Sequence, residues 1–323
     1  MLISVYVPLV VTAVLTVLAP PVARLLAPRP AVRALACAAA VTTVGWMGSM
    51  ALLAFTGVAQ IPEVAEAGRW SVPALRAEDP VHLTVAVLSA LVLTAQLVSL
   101  GRAAVRRTRQ ILWARRECAA MTGESELSVI DDDRPQAFAL PGSPGRIVVS
   151  RGMLQCLAPA EREALLAHER AHLLHRHHHF QTLWHLTAAA NPLLRPLAAA
   201  GGFALERWAD EDAAARVGDR AVVARAVGRA ALAASARPSG TTGALAATGG
   251  AVPQRVRALL APPPPRRVLP IAAGALLLLL CCAGLANAVA DSDELLDDAQ
   301  RAQCRVVAPH PAGTHCACHD GRP

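Results

Sequence analysis

The sequence predicts a mainly α, multi-pass membrane protein with four transmembrane helices and a folded α+β domain between the third and the fourth. Three observations predict it. The 323 residues are 54% hydrophobic and only 17% charged, which is too apolar for an ordinary soluble chain of this length. Four runs free of Arg, Lys, Asp and Glu are each long enough to cross a bilayer. Between the third and fourth runs the chain changes character, to short alternating segments, Pro-Gly turns and helical periodicity.

The first run, Leu2 to Leu18, leads to a Pro20-Pro21 exit, and with no basic segment ahead of it reads as a retained anchor rather than a signal peptide. The second covers about Ala34 to Val58, the third Val81 to Leu100, and the fourth Val268 to Ala290. All 31 basic residues are Arg, and their placement orients the spans, because cytosolic loops carry the basic excess. Arg24, Arg29 and Arg33 follow the first span, six Arg between 102 and 116 follow the third, and Arg266 and Arg267 precede the fourth. The loop at 61–80 instead offsets Arg69 and Arg76 with Glu63, Glu66, Glu78 and Asp79. One arrangement satisfies these counts: N-terminus outside, residues 101–267 in the cytosol, and the tail after Ala290 outside. The net charge of +7 follows the membrane pattern, so no direct nucleic-acid binding is expected. The expected organisation is a membrane domain at 1–100, a cytosolic domain at 101–267, the last span at 268–290 and a short extracytoplasmic tail at 291–323.

Within the cytosolic domain, Arg102 to Cys118 reads as a helix leaving the membrane, its basic face against anionic headgroups. Leu127–Ile130, Gln136–Leu140 and Arg146–Ser150 read as short strands separated by Asp-Arg-Pro and Pro-Gly-Ser-Pro-Gly turns. A helix starts near Pro159 and carries Ala167-His168-Glu169-Arg170-Ala171-His172, an HExxH sequence. Positions four apart share a helical face, so His168 and His172 can present two imidazoles to one metal ion, with Glu169 close enough to reach a water there. Zinc needs a third protein ligand and keeps one position open. Glu206 on the next long helix, Gly202 to Val217, is the candidate for that ligand, with Asp210, one turn on, placed to accept a hydrogen bond from a liganding imidazole; a solvated acidic face running on to Glu211 and Asp212 is the alternative. His175, His177, His178 and His179 read as a solvated helix end, with His177 in at most a supporting role. Phe180–Ala190 and Leu193–Phe203 read as buried or interfacial helices, Ala221–Ala234 as another helix, Arg237–Gly250 as a mobile linker and Pro262–Pro265 as a stiff spacer.

HExxH followed by Glu206-Arg207-Trp208-Ala209-Asp210 resembles the gluzincin metallopeptidases of bacterial membranes, above all the BlaR/MecR antibiotic-sensor family and less closely the HtpX type. Gln136-Ala137-Phe138-Ala139-Leu140-Pro141-Gly142, Arg146 to Leu154, Asn191-Pro192-Leu193 and Arg255-Val256-Arg257-Ala258-Leu259-Leu260 are similar to landmarks of those families. The resemblance covers about 101 to 290. Two departures stand out: Gln136 replaces the usual HtpX Asn, and the penicillin-binding sensor domain of BlaR/MecR is missing. The resemblance implies a zincin-like zinc metalloendopeptidase that cleaves a protein or peptide substrate, in the BlaR/MecR case a transcriptional repressor. HtpX-like quality control of membrane proteins is the second reading, and a non-catalytic metal-responsive signalling protein the third.

The expected chemistry is hydrolysis, with zinc on His168, His172 and Glu206, and Glu169 as the base. The sequence does not identify the oxyanion donor; His185 and an Arg beyond Asp210 are the candidates. An edge strand of the small sheet could align a substrate by β-augmentation, or be purely structural. In the tail, Cys304, Cys316 and Cys318 with His310, His315 and His319 read as a disulfide-bearing or unstructured extension, a soft-metal sensor site being the alternative.

Overall fold

The computed structural model describes residues 4–78, 82–121, 125–235, 251–263 and 267–307. Helices dominate: α1 (Val7–Leu25), α2 (Pro28–Val58), α3 (Pro62–Gly68), α4 (Val72–Glu78), α5 (Leu83–Ala120), α6 (Arg151–Cys156), α7 (Pro159–Leu174), α8 (His177–Ala190), α9 (Arg195–Val217), α10 (Arg220–Ser235), α11 (Ala251–Leu260) and α12 (Leu269–Val307). Three strands, β1 (Leu127–Ile130), β2 (Ala137–Leu140) and β3 (Arg146–Ser150), lie between α5 and α6. Among the described residues, four helices are long and apolar enough to cross a membrane: the first with its short 3-10 lead-in at Ser4–Leu25, then Pro28–Val58, Leu83–Ala120 and Leu269–Gln303.

The chain divides into two compact units. One comprises Met1–Ala13, Val41–Leu97 and Leu276–Pro323. Its helices approach closely where side chains are small, the usual device of apolar bundles. A Cβ on Gly45 would come within 2.6 Å of Cys281 Sγ on α12, and one on Gly48 within 2.8 Å of Leu285. Trp70 Nε1 donates to the Ala59 carbonyl at 2.8 Å, and the Ser71 amide to that of Ala299 at 3.0 Å. The predicted loop at 61–80 therefore contains two short helices tied to α2 and α12.

The other unit comprises Val14–Ala40 and Val98–Ala275. Its sheet has the order β1-β3-β2, with β3 parallel to β1 and antiparallel to β2, which leaves β2 at an edge. Ile147 and Val149 on β3, with Met153 and Leu157 beyond it, form a core against Leu165 and Leu166 of α7. Ser150 fixes the turn out of β3: its buried Oγ donates to Arg134 O at 2.7 Å and accepts from the amides of Gln136 and Met153. That hydroxyl both caps α6 and holds the entry to β2.

Several elements run longer than the sequence suggests. Pro20 and Pro21 lie inside α1 and do not end it, because an apolar helix packed against neighbours can re-satisfy the carbonyls a proline frees. The third span and the helix leaving the membrane are one 38-residue helix, α5, about 57 Å long at 1.5 Å per residue and so well beyond the ~30 Å hydrocarbon layer. The fourth continues past Ala290 to Val307. Leu193–Phe203 and Gly202–Val217 merge into the single helix α9, across Gly201, where a Cβ would meet the Trp184 ring at 2.5 Å. The predicted linker, the centre of the proline spacer and the Cys/His tail from His310 onward lie outside the described residues.

Gly152 tests the β3–α6 junction. A Cβ there would stand 2.2 Å from the Asp133 carbonyl oxygen, a backbone atom that cannot rotate aside. Gly152→Ala is expected to destabilise this unit by about 1–3 kcal/mol, read as a lowered denaturation midpoint of the detergent-solubilised protein.

Candidate metal centre

Helix α7 starts with Pro159, and Glu161 Oε2 accepts from the Ala158 amide at 2.9 Å, closing the first turn. Glu161 is itself buried, and Arg229 of α10 reaches its Oε2 at 2.8 Å. The helix is thus fixed at its start, and its middle turns carry His168, Glu169 and His172 against α9.

His168 Nε2 and His172 Nε2 lie 3.1 Å apart. Glu206 closes a triangle with them, Oε2 at 3.5 Å from His168 Nε2 and Oε1 at 3.7 Å from His172 Nε2. Four ligands at the 2.0–2.1 Å bond lengths of tetrahedral zinc sit about 3.3–3.4 Å from one another. The three edges bracket that spacing, so the residues fit the ion. The protonation pattern agrees. Two imidazole Nε2 atoms facing each other this closely repel unless a cation or a proton lies between them. Burial opposes that proton, but the contacts with Asp210 and Glu206 outweigh burial and raise His168 to about 10. Burial, followed by the charge of His168, pushes His172 down to about 4. Burial would raise Glu206, yet His168 and Arg255 hold it down to about 2, a carboxylate ready for a cation.

Around the triangle each group has a support. Asp210 Oδ1 lies 3.0 Å from His168 Nδ1. Arg255 of α11 grips Asp210 with two hydrogen bonds, Nε to Oδ2 at 2.8 Å and Nη2 to Oδ1 at 2.6 Å, and places Nη1 3.1 Å from Glu206 Oε2. His172 Nδ1 lies 2.9 Å from Nδ1 of His177. If His172 presents Nε2 to a metal, its Nδ1 carries the hydrogen and donates to His177, which fixes the ring.

His177 corrects the expectation of a solvated helix end. It is fully buried, with its ring 4.9 Å from that of Trp208, and His175 stacks on the same indole at 4.6 Å while pairing with Asp212. The tryptophan of α9 draws the rings inward, which a run of polar residues does not reveal. Arg255 was visible only as part of a similar landmark, and no spacing ties it to Asp210 across the intervening linker. Among the oxyanion candidates, His185 is exposed and lines neither cleft at the site, whereas Arg255 lines one but is committed to its two carboxylates.

Glu169 is 9% exposed. Burial raises its carboxyl above the usual range, with the charge of His168 opposing. Two clefts meet at His168, Glu169 and Glu206, one of about 230 Å³ with apolar walls that include Met153, Leu165 and Val227, the other of about 280 Å³ beside Phe138, Ala139 and His178. Ala137 of the edge strand β2 borders both. The arrangement is a partly buried cluster of two imidazoles and a carboxylate that could hold a metal ion, with an adjacent buried carboxyl group, opening on a groove beside the edge strand β2.

Residues 102–232 match the family described as Peptidase family M48. The matched segment contains all five residues His168, Glu169, His172, Glu206 and Asp210, and the match supports a zinc-dependent metalloprotease domain in a chain with four apolar helices. No curated protein and no solved structure matches the chain.

The geometry predicts that the purified protein takes up one zinc per chain. Zinc affinity is expected to collapse in Glu206→Gln and to fall about 10–100-fold in His177→Ala, the usual cost of losing a partner of a liganding imidazole, as measured by competition with a chromogenic chelator.

Proposed function

We propose that this protein is an integral-membrane zinc endopeptidase of the BlaR/MecR type, with its catalytic domain in the cytosol and its N-terminus and tail on the other side. The observation that carries the reading is the His168–His172–Glu206 triangle with the buried Glu169 beside it. His168, His172 and Glu206 would hold the ion, leaving one position open. Bound there, zinc supplies Lewis-acid charge that polarises a carbonyl and brings the pKa of water at the open position to about 7.

The protein's own groups do the rest. Glu169 takes a proton from the attacking water and returns it to the leaving amine, a role its raised carboxyl pKa suits. Asp210 orients the His168 ring, Arg255 holds Asp210 and Glu206 in place, and His177 orients His172. The edge strand β2 aligns an extended substrate beside the metal by backbone pairing, and the apolar cleft accepts a side chain. Support for the sidedness comes from the arginine distribution. Support for a regulatory target, a cytosolic protein such as a transcriptional repressor, comes from the BlaR/MecR landmarks, one of which forms α11 and brings Arg255 to the centre.

Glu169→Gln is expected to retain zinc, to lose at least about 100-fold in proteolysis, the lower range for removing a general base, and to trap uncut substrate. A proteomic comparison of cells carrying wild type or this variant should show one cytosolic regulator left intact. Accumulation of many membrane-protein fragments would instead assign HtpX-like quality control, and full biological activity in the variant would leave only a non-catalytic signalling role.

A further inference from the structure

A second constellation lies away from the metal centre. Arg207 follows Glu206 on α9, and its guanidinium meets the end of α1: Nη1 donates to the carbonyls of Ala23, Arg24 and Leu26 at 3.1, 3.5 and 3.4 Å. Those carbonyls are the unpaired, partly negative end of a helix, and an arginine is a natural cap for them. The cap does not use the whole guanidinium. Arg207 is 4% exposed, yet its Nε has no hydrogen-bond partner, a donor withdrawn from water and left unmet.

Arg207 forms one wall of a cleft of about 420 Å³ that is also lined by Arg24, Phe203, Gln254, Arg257 and Pro262. No acidic side chain among the described residues lines it. The neighbouring carboxylates are engaged elsewhere, Glu211 with Arg220 and Asp210 with Arg255. Arg24 and Arg257 have no ion-pair partner among the described residues and are exposed at the cleft. Three guanidinium groups and an amide thus surround a space that no carboxylate among the described residues lines, Glu211 and Asp210 acting on Arg207 only from outside it. Self-repulsion of this kind is relieved by a bound anion with several acceptor oxygens, and guanidinium forks match a phosphate above other anions.

Location selects the source. Arg24 stands in the last turn of the first helix long and apolar enough to cross a membrane, the level at which a phospholipid presents its phosphate. The Phe203 ring and Pro262 give the cleft an apolar side for the start of a glycerol backbone. We propose that the Arg24–Arg207–Arg257 cleft binds a phosphate group, supplied by the headgroup of an anionic phospholipid.

The full-length protein in a neutral detergent provides the test. Phosphatidylglycerol, phosphatidylcholine and inorganic phosphate are titrated separately, with retained molecules counted by native mass spectrometry and the thermal midpoint followed. One phosphatidylglycerol should be retained and should raise the midpoint, phosphatidylcholine should do neither, and millimolar phosphate should compete. Arg24→Gln combined with Arg257→Gln should weaken phosphatidylglycerol on the order of 100-fold, about tenfold for each lost charge-assisted contact, with zinc content unchanged. Arg216→Gln, a change at an exposed arginine of α9 that does not line the cleft, should leave binding intact. Equal retention of the two lipids, or an unaltered affinity in the double variant, overturns the site. Saturation by inorganic phosphate at or below the lipid concentration overturns the lipid as its source.

Discussion

Two carboxylates one turn apart on α9, Glu206 and Asp210, are the constraint on which the candidate metal centre depends. Removing such groups from water costs several kcal/mol each unless positive charge meets them in good geometry. Asp210, 1% exposed, is met by the two-pronged grip of Arg255 and by His168. Glu206 shares Arg255 through a single contact at Oε2, the oxygen that also faces His168, and turns Oε1 to His172. Against burial, these contacts hold its carboxyl down to about 2. The contacts that make the triangle suit zinc are the same ones that hold both carboxyls below the usual range.

This division of labour explains why three separate helices must converge. α7 brings the imidazoles, α9 the carboxylates, and α11 the arginine that neutralises one carboxylate and steadies the other. The small sheet and the α6 turn set where α7 begins, through the Ser150 hydroxyl and the core around Ile147 and Val149. The aromatic face of α9 then controls the far end of α7: Trp208 packs against His175 and His177, and His177 in turn meets His172. Orientation of the His172 ring is thus traced back, through His177, to the indole of Trp208.

Sequence pattern exposed the centre more fully than its surroundings, for reasons that differ residue by residue. His168, Glu169 and His172 are legible because helical periodicity alone places them together, and Glu206 with Asp210 because they repeat the same four-residue step. Arg255 is not legible, since a contact between elements separated by a long linker leaves no spacing signature. His177 is hidden because a run of histidines has the composition of a solvated end, and only the tertiary position of Trp208 reverses that. The four apolar helices are legible from composition, but their lengths are not. Pro20-Pro21 and Gly201-Gly202 are local stop signals overridden by packing, with Trp184 filling the space a side chain at Gly201 would need.

The short helix α11 joins the two sites of the domain. Ten residues form a helix that is marginal in isolation, so its order comes from what holds it. Arg220 holds one end by donating to the carbonyls of Ala258, Leu259 and Ala261. Asp210 and Glu206 hold Arg255 on the metal side, while Gln254 and Arg257 face the arginine cleft. An anion engaging Gln254 and Arg257 fixes the same ten residues that Arg255 needs fixed in order to steady Glu206. Each ligand then lowers the ordering cost met by the other, and linkage makes the coupling reciprocal: a lipid headgroup that improves metal retention must itself be bound more tightly when the metal is in place.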